Sequence, residues 1–210
     1  MNELAIRTLS GLAMMAVALL AAVFGGYYFA VLVAAAATAM FYEWMRIVRG
    51  WGPTWSVGGF FYALLPALAL LWVRDRADHG LLLLLWIFIV TWTTDIGAYF
   101  VGRTIGRRKL APSISPGKTV EGLYGGMAGA ALFGGAWALF TGLPHVVLVL
   151  APLFALAAQG GDLFESWMKR RAGVKDSGNW LPGHGGVLDR LDGLVPVAVL
   201  TAIAQLAGLA

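Results

Sequence analysis

The segment from Ser166 to Asp192 concentrates the chemistry of this chain. It carries Lys169, Arg170, Arg171, Lys175, Asp176, Asp189, Arg190 and Asp192, with His184 set between glycine-flanked turns. Such cations grip phosphates, and such carboxylates hold a divalent ion. Asp189 and Asp192 are three apart, so on a helix both project from one face. Mg²⁺ usually takes one or two protein carboxylates and completes its shell with substrate phosphates and water. A lone DxxD pair is common on solvated helix faces, but here Asp162, Asp176 and the surrounding cations give it weight. The combination reads as a metal–triphosphate site, in which ion and cations together neutralise phosphate charge. The turn from Leu181 to Val187 adds backbone N–H groups, around Gly185 and Gly186, that can cradle an anion. His184 either meets a phosphate, transfers a proton or orders the turn by hydrogen bonding.

A second polar segment runs from Gly102 to Gly122 and holds Ser115, Lys118 and Thr119. Its Ser-Pro-Gly-Lys-Thr run lacks the spacing and the preceding strand of a nucleotide-hydrolase phosphate loop. Lys118, beside the start of an apolar run, is the better phosphate contact. Arg107, Arg108 and Lys109 suit anionic lipid headgroups. Three further acids, Glu43, Asp95 and Asp162, fall at the ends of apolar runs. A charge costs about 2.5–3.5 kcal/mol at the centre of a membrane helix and less near the interface, so such acids face a bundle interior or a wet cavity. The structural alternative for each is an interfacial acid paired with a nearby arginine.

The elements that must position these groups are membrane helices. The chain has 210 residues, of which 60% are hydrophobic and 12% charged, against roughly 25% charged in a soluble domain. Apolar runs of roughly 20 residues can cross a bilayer. Seven are expected, at 9–24, 27–45, 57–73, 81–101, 120–141, 144–163 and 194–210. The fold class is therefore all-α, a polytopic helical bundle read as one domain over 1–210, with N-terminal spans in 1–90, a catalytic half in 91–192 and a last span in 193–210. A cleaved secretory signal at the N-terminus is the weaker reading of the first run. Small residues every four positions (Gly122, Gly126, Ala130; Gly125, Gly129) predict close helix packing, and Pro152 predicts a bend.

Alternating loops place thirteen of the 15 Lys and Arg on one side, leaving Arg74 and Arg76 on the other. Positive loops face the cytoplasm. The expected location is the cytoplasmic (inner) membrane, with the N-terminus and the polar segments inside and the C-terminus outside. The net charge of +4 is no nucleic-acid signature, and no nucleic-acid partner is expected. Without cysteine there is no disulfide framework.

The polar segment resembles the signature of the phosphatidate cytidylyltransferases: Ser166, Lys169-Arg170, Lys175-Asp176, His184-Gly185-Gly186, then Asp189-Arg190-Leu191-Asp192. The runs 159–165, 95–102 and 115–122 are also similar to that family, so the likeness covers roughly 94–192. It implies cytidylyl transfer from CTP to phosphatidic acid with Mg²⁺, compatible with a second metal ion and with a homodimer in membrane lipid. By similarity, Asp162 and Asp189 are the metal ligands. Asp176, Asp192 and Asp95 support them, Lys169, Arg170, Lys175, Arg190 and Lys118 hold phosphates, and Ser115 and His184 contact substrate. A CTP-dependent lipid-alcohol kinase and a small transporter using Asp95 and Asp162 are the rival readings.

Overall fold

The computed structural model describes residues 3–210, apart from the side chains of residues 3, 4 and 6. Among the described residues, six helices are long and apolar enough to cross a membrane: α1 (Glu3–Phe24), α2 (Gly26–Ile47), α3 (Pro53–Arg74), α4 (Gly80–Ile105), α5 (Val120–Thr141) and α6 (Val146–Arg171). A single turn, α7 (Leu188–Leu191), leads into α8 (Leu194–Leu206). The expected seventh span is thus present as a helix but is short. Its 13 residues extend about 20 Å, against a hydrocarbon core of about 30 Å. Large apolar side chains such as Leu68, Leu132 and Phe133 stay exposed along the helices, as a lipid-facing surface requires.

One departure from an all-helical chain lies between α4 and α5. Strands β1 (Lys109–Ala111) and β2 (Ser115–Thr119) pair antiparallel, with Lys109 opposite Thr119 and Ala111 opposite Ser115. Local chemistry holds this hairpin against its helices. Thr119 caps α5, its Oγ1 accepting from the Gly122 N–H at 3.0 Å. Glu121 accepts from the backbone N–H groups of Arg107 and Arg108 and pairs with the Arg108 side chain at 3.1 Å.

The glycine stripe of α5 does what its spacing predicts. A methyl group added at Gly97 of α4 would overlap the Gly125 carbonyl, and one at Gly125 would overlap Val101. The α4 and α5 backbones therefore touch, which only small residues allow. Helix α6 continues through Pro152, and α3 likewise contains Pro66.

Loop charges segregate as the span count requires. The α2–α3 turn, the hairpin and the loop after α6 meet at one end of the bundle: Arg171 lies over Trp51, Arg170 Nε donates to Ile114 O, and Lys118 pairs with Asp162. Arg74 is at the other end, where its Nε donates to Ala22 O at 2.6 Å and so caps α1. A side chain at Gly25, whose φ is 64°, would collide with that guanidinium.

Replacing Gly97 by Val should lower the thermal midpoint of the purified protein in detergent by several degrees, since overpacking a tight contact costs about 1–3 kcal/mol. Gly58, which faces open space, should accept Ala with no loss.

Candidate functional site

The last three turns of α6 carry Gln159, Asp162, Glu165, Ser166 and Lys169. Spacings of three and four place them on one helix face. Gln159, Asp162 and Lys169 meet partners from elsewhere in the chain, while Ser166 and Glu165 pair along the helix itself. Lys118, on β2, reaches Gln159 Oε1 at 2.7 Å and Asp162 Oδ2 at 2.6 Å. Gln159 Nε2 then donates to Asp95 Oδ1 of α4 at 3.4 Å. Ser166 Oγ donates to Asp162 Oδ1 at 3.2 Å. At the far end of the stripe, Lys169 Nζ lies 2.6 Å from Asp189 Oδ1 and 3.3 Å from Glu165 Oε2. Asp192, just past α7, comes within electrostatic reach of Asp162, Glu165 and Asp95. A methyl group at Gly161 would overlap the Asp192 carbonyl, so glycine lets α6 and the end of α7 approach.

The residues that resemble the family signature divide into two groups. One lines the cluster: Asp95, Lys118, Asp162, Lys169, Asp189 and Asp192. The other builds the loop around it. His184 Nδ1 meets Ser10 Oγ of α1 at 2.9 Å, and Arg190 Nε donates to His184 O at 3.0 Å. Arg170 spans to Ile114 O and Val174 O. Ser115 sits half-buried on β2. Lys175 and Asp176 are exposed in the loop, and Gly185 turns it at φ 82°, with its Cα hydrogen facing Asp189 Oδ2.

Asp189 has a more specific position than a free metal ligand. Besides Lys169, its oxygens accept from the N–H groups of Ser177 (3.0 Å) and Gly186 (2.7 Å). Burial opposes its charge, but the bonds from Lys169 and Gly186 outweigh burial and hold its pKa below the ordinary carboxylate range. Two of its three donors are amides of the loop, and the third is Lys169 of α6. Asp192 shows the opposite balance. Burial, then the charge of Asp162, push its pKa up to about 7.

Glu43 is the residue that sequence reasoning placed least well. Among the described residues it has no arginine partner. It is fully buried, with 0% exposure, and accepts from Ser177 Oγ (2.9 Å), Val187 N–H (3.1 Å) and Leu188 N–H (2.8 Å). A methyl at Gly186 would overlap both Ser177 Oγ and the Glu43 carboxylate. Glu165 and Tyr62 were also missed. Both Glu165 oxygens are buried without a hydrogen bond, and so is the Tyr62 hydroxyl, within electrostatic reach of Asp192, Glu165 and Asp162. The one signal in the sequence was the spacing of Glu165 from Asp162.

Acids outnumber cations here. Asp95, Asp162, Glu165, Asp189 and Asp192 face Lys118, Lys169 and Arg190. Among the described residues no three acidic or histidine side chains form a ready metal cage. A hard divalent cation needs only one or two of them. Glu165, whose buried oxygens make no hydrogen bond and whose Oε2 has only the Lys169 ion pair, and the partly exposed Asp162, 31% accessible, are suitable donors, so the residues present fit Mg²⁺.

The chain belongs to the Cytidylyltransferase family, whose pattern matches residues 49–206. It is similar to the phosphatidate cytidylyltransferase of Brucella suis biovar 1 (strain 1330), at 46% identity over 171 residues, covering 80% of this chain and 62% of that protein. The enzyme of the same name from Pseudomonas aeruginosa PAO1 is 39% identical over 178 residues, covering 82% and 66%. That of Bacillus subtilis (strain 168) is 49% identical over 123 residues, covering 57% and 46%. The chain thus spans less than two thirds of the length of these curated relatives.

Two outcomes test this geometry. Glu43→Gln should speed amide hydrogen exchange at Val187 and Leu188 about tenfold or more, because bonds to a charged acceptor contribute about 1.5–3 kcal/mol each. Asp192 binds a proton in the folded state at pH values where the unfolded chain has released it. Stability should therefore fall as pH rises from about 4 to the folded pKa of about 7. Thermal midpoints of protein held in chelator should show that decline, and Asp192→Asn should flatten it.

Proposed function

We propose that the chain transfers a cytidylyl group from CTP to phosphatidic acid, giving CDP-diacylglycerol and pyrophosphate. The observation that carries this reading is the convergence of α4, β2, α6 and α7 on one carboxylate–lysine cluster at an end of the apolar helices. The names of the similar proteins support the substrate assignment. The positive loops favour the cytoplasmic face of the inner membrane for that end, with the N-terminus there and the C-terminus across the bilayer.

A phosphate oxygen of phosphatidic acid attacks the α-phosphorus of CTP. The bond from that phosphorus to the bridging oxygen breaks, and pyrophosphate leaves with the electron pair. The nucleophile is already anionic, so no strong base is needed. The difficulty is repulsion between two anions, which charge neutralisation and positioning overcome. Lys118 and Lys169 sit at either end of the stripe, and each can pass from its carboxylate to an incoming phosphate. Asp162, with Glu165 and Asp192 beside it, would hold Mg²⁺. When bound, the ion would neutralise the triphosphate and the leaving pyrophosphate. Asp189 and Glu43 keep the loop in register, and Gln159 orients Lys118. Because the cluster lies where helices end, a lipid phosphate can reach it from the headgroup layer while the nucleotide arrives from water.

The test is the full chain in lipid nanodiscs with Mg²⁺, phosphatidic acid and CTP labelled at its α-phosphate. Label should pass to lipid with one pyrophosphate released per lipid formed. Asp162→Asn should lower turnover about 100-fold or more, with unchanged elution and thermal midpoint. Products of phosphorylated lipid and CDP would instead identify a kinase. Wild-type turnover in Asp162→Asn would remove Asp162 from the site.

A further inference from the structure

We propose a second anion site, specific for a phosphate group, in a groove of about 350 Å³ between the end of α2, the α2–α3 turn and the end of α6. Three guanidiniums line it: Arg46, Arg49 and Arg171. Asp176 is the sole acid in its lining. Among the described residues, none of the three arginines has a carboxylate partner.

The bland account is that these arginines offset the negative ends of two helices. Each helix C-terminus contributes roughly half a negative charge. Two such ends and Asp176 together offset about two of the three positive charges. About one positive charge is left uncompensated before any ligand binds. That surplus calls for an anion.

The geometry of Arg171 identifies the chemistry. Its guanidinium lies 4.4 Å over the Trp51 ring and 5.5–5.6 Å from Trp167 and Trp55. The rings hold the group in place, and among the described residues its N–H groups have no hydrogen-bond partner. A planar fork held in this way matches the oxygens of a phosphate. Arg46 and Arg49, at the end of α2, add two more exposed forks.

The surroundings favour a lipid source for that phosphate. Trp51, Trp55 and Trp167 form an aromatic cluster where α3 begins and α6 ends, the depth at which tryptophans mark the membrane–water boundary. Basic pockets between membrane helices at this level bind anionic headgroups. Ser177 also lines the groove, and its N–H anchors Asp189. An anion in the groove therefore braces the loop that builds the acidic cluster, from the side away from that cluster. The site stands on anion retention alone, whatever reaction the chain performs.

The experiment uses the full chain in detergent, by native mass spectrometry, with phosphatidylglycerol and phosphatidylcholine in equal amounts. Inorganic pyrophosphate forms a separate arm, read by thermal shift. Wild type should retain phosphatidylglycerol over phosphatidylcholine. The exposed pair Arg46→Gln and Arg49→Gln should cut that retention at least about fivefold, and Arg49→Lys should keep most of it. Arg171→Gln adds a check on the stacked group, and the α2 pair decides the matter if that variant does not fold. A pyrophosphate shift lost in the α2 pair, without lipid selectivity, would support the phosphate site and assign it to a soluble ligand. Equal retention of both lipids together with no arginine-dependent pyrophosphate shift would overturn the proposal. So would full phosphatidylglycerol retention in the α2 pair.

Discussion

Two buried carboxylates hold one polar loop in place, and the rest of the site depends on that grip. Glu43 rises from α2 to the amides of Val187 and Leu188, while Asp189 turns back to those of Ser177 and Gly186. Both accept from Ser177, one from its hydroxyl and the other from its N–H. A buried carboxylate without such partners would cost several kcal/mol. With them, each fixes the loop from one side. The loop then presents Asp192 to α6, and Lys169 completes the contact by bridging to Asp189. Glycine at 186 makes the approach possible, because any side chain would occupy the space of the Glu43 carboxylate.

The cluster so formed is electrostatically unfinished. Its carboxyls exceed its cations, Glu165 has no hydrogen bond, and Asp192 holds its proton to an unusually high pH. A protein selected for stability alone would not gather these groups at the end of a membrane bundle. A bound cation and the phosphates it carries would complete the balance. Membership of the Cytidylyltransferase family fits that demand, since the triphosphate proposed as substrate would bring negative charge that Lys118 and Lys169 could exchange for their present partners.

Much of this was readable from residue spacing because bilayers impose strong periodic constraints. Long apolar runs marked the six long helices, and glycine repeats marked the α4–α5 contact. The segregation of Lys and Arg showed which loops share an end. Reading failed where tertiary contacts decide. Glu43 looked like an interfacial acid because its partners are backbone amides more than 130 residues away. The contacts of Asp189 with Lys169 and with the N–H groups of Ser177 and Gly186 belong to a loop conformation that no local pattern encodes. The β1–β2 hairpin was hidden by a proline and glycine run, and α8 was read as a full span from composition although its helix ends early. His184 and Arg190 carry signature positions, yet their present contacts are with Ser10 and the loop backbone.

The absence of native cysteine allows a direct test of the convergence of α6 with the 189–192 segment. A Cβ at Gly193 would stand 3.6 Å from that of Ala158, within the range a disulfide bridges. With Ala158→Cys and Gly193→Cys combined, oxidised membranes should lose both thiols to maleimide labelling and regain them on reduction. Two thiols that stay fully labelled after oxidation would contradict this architecture, because Asp162 and Asp192 would then not share one cluster.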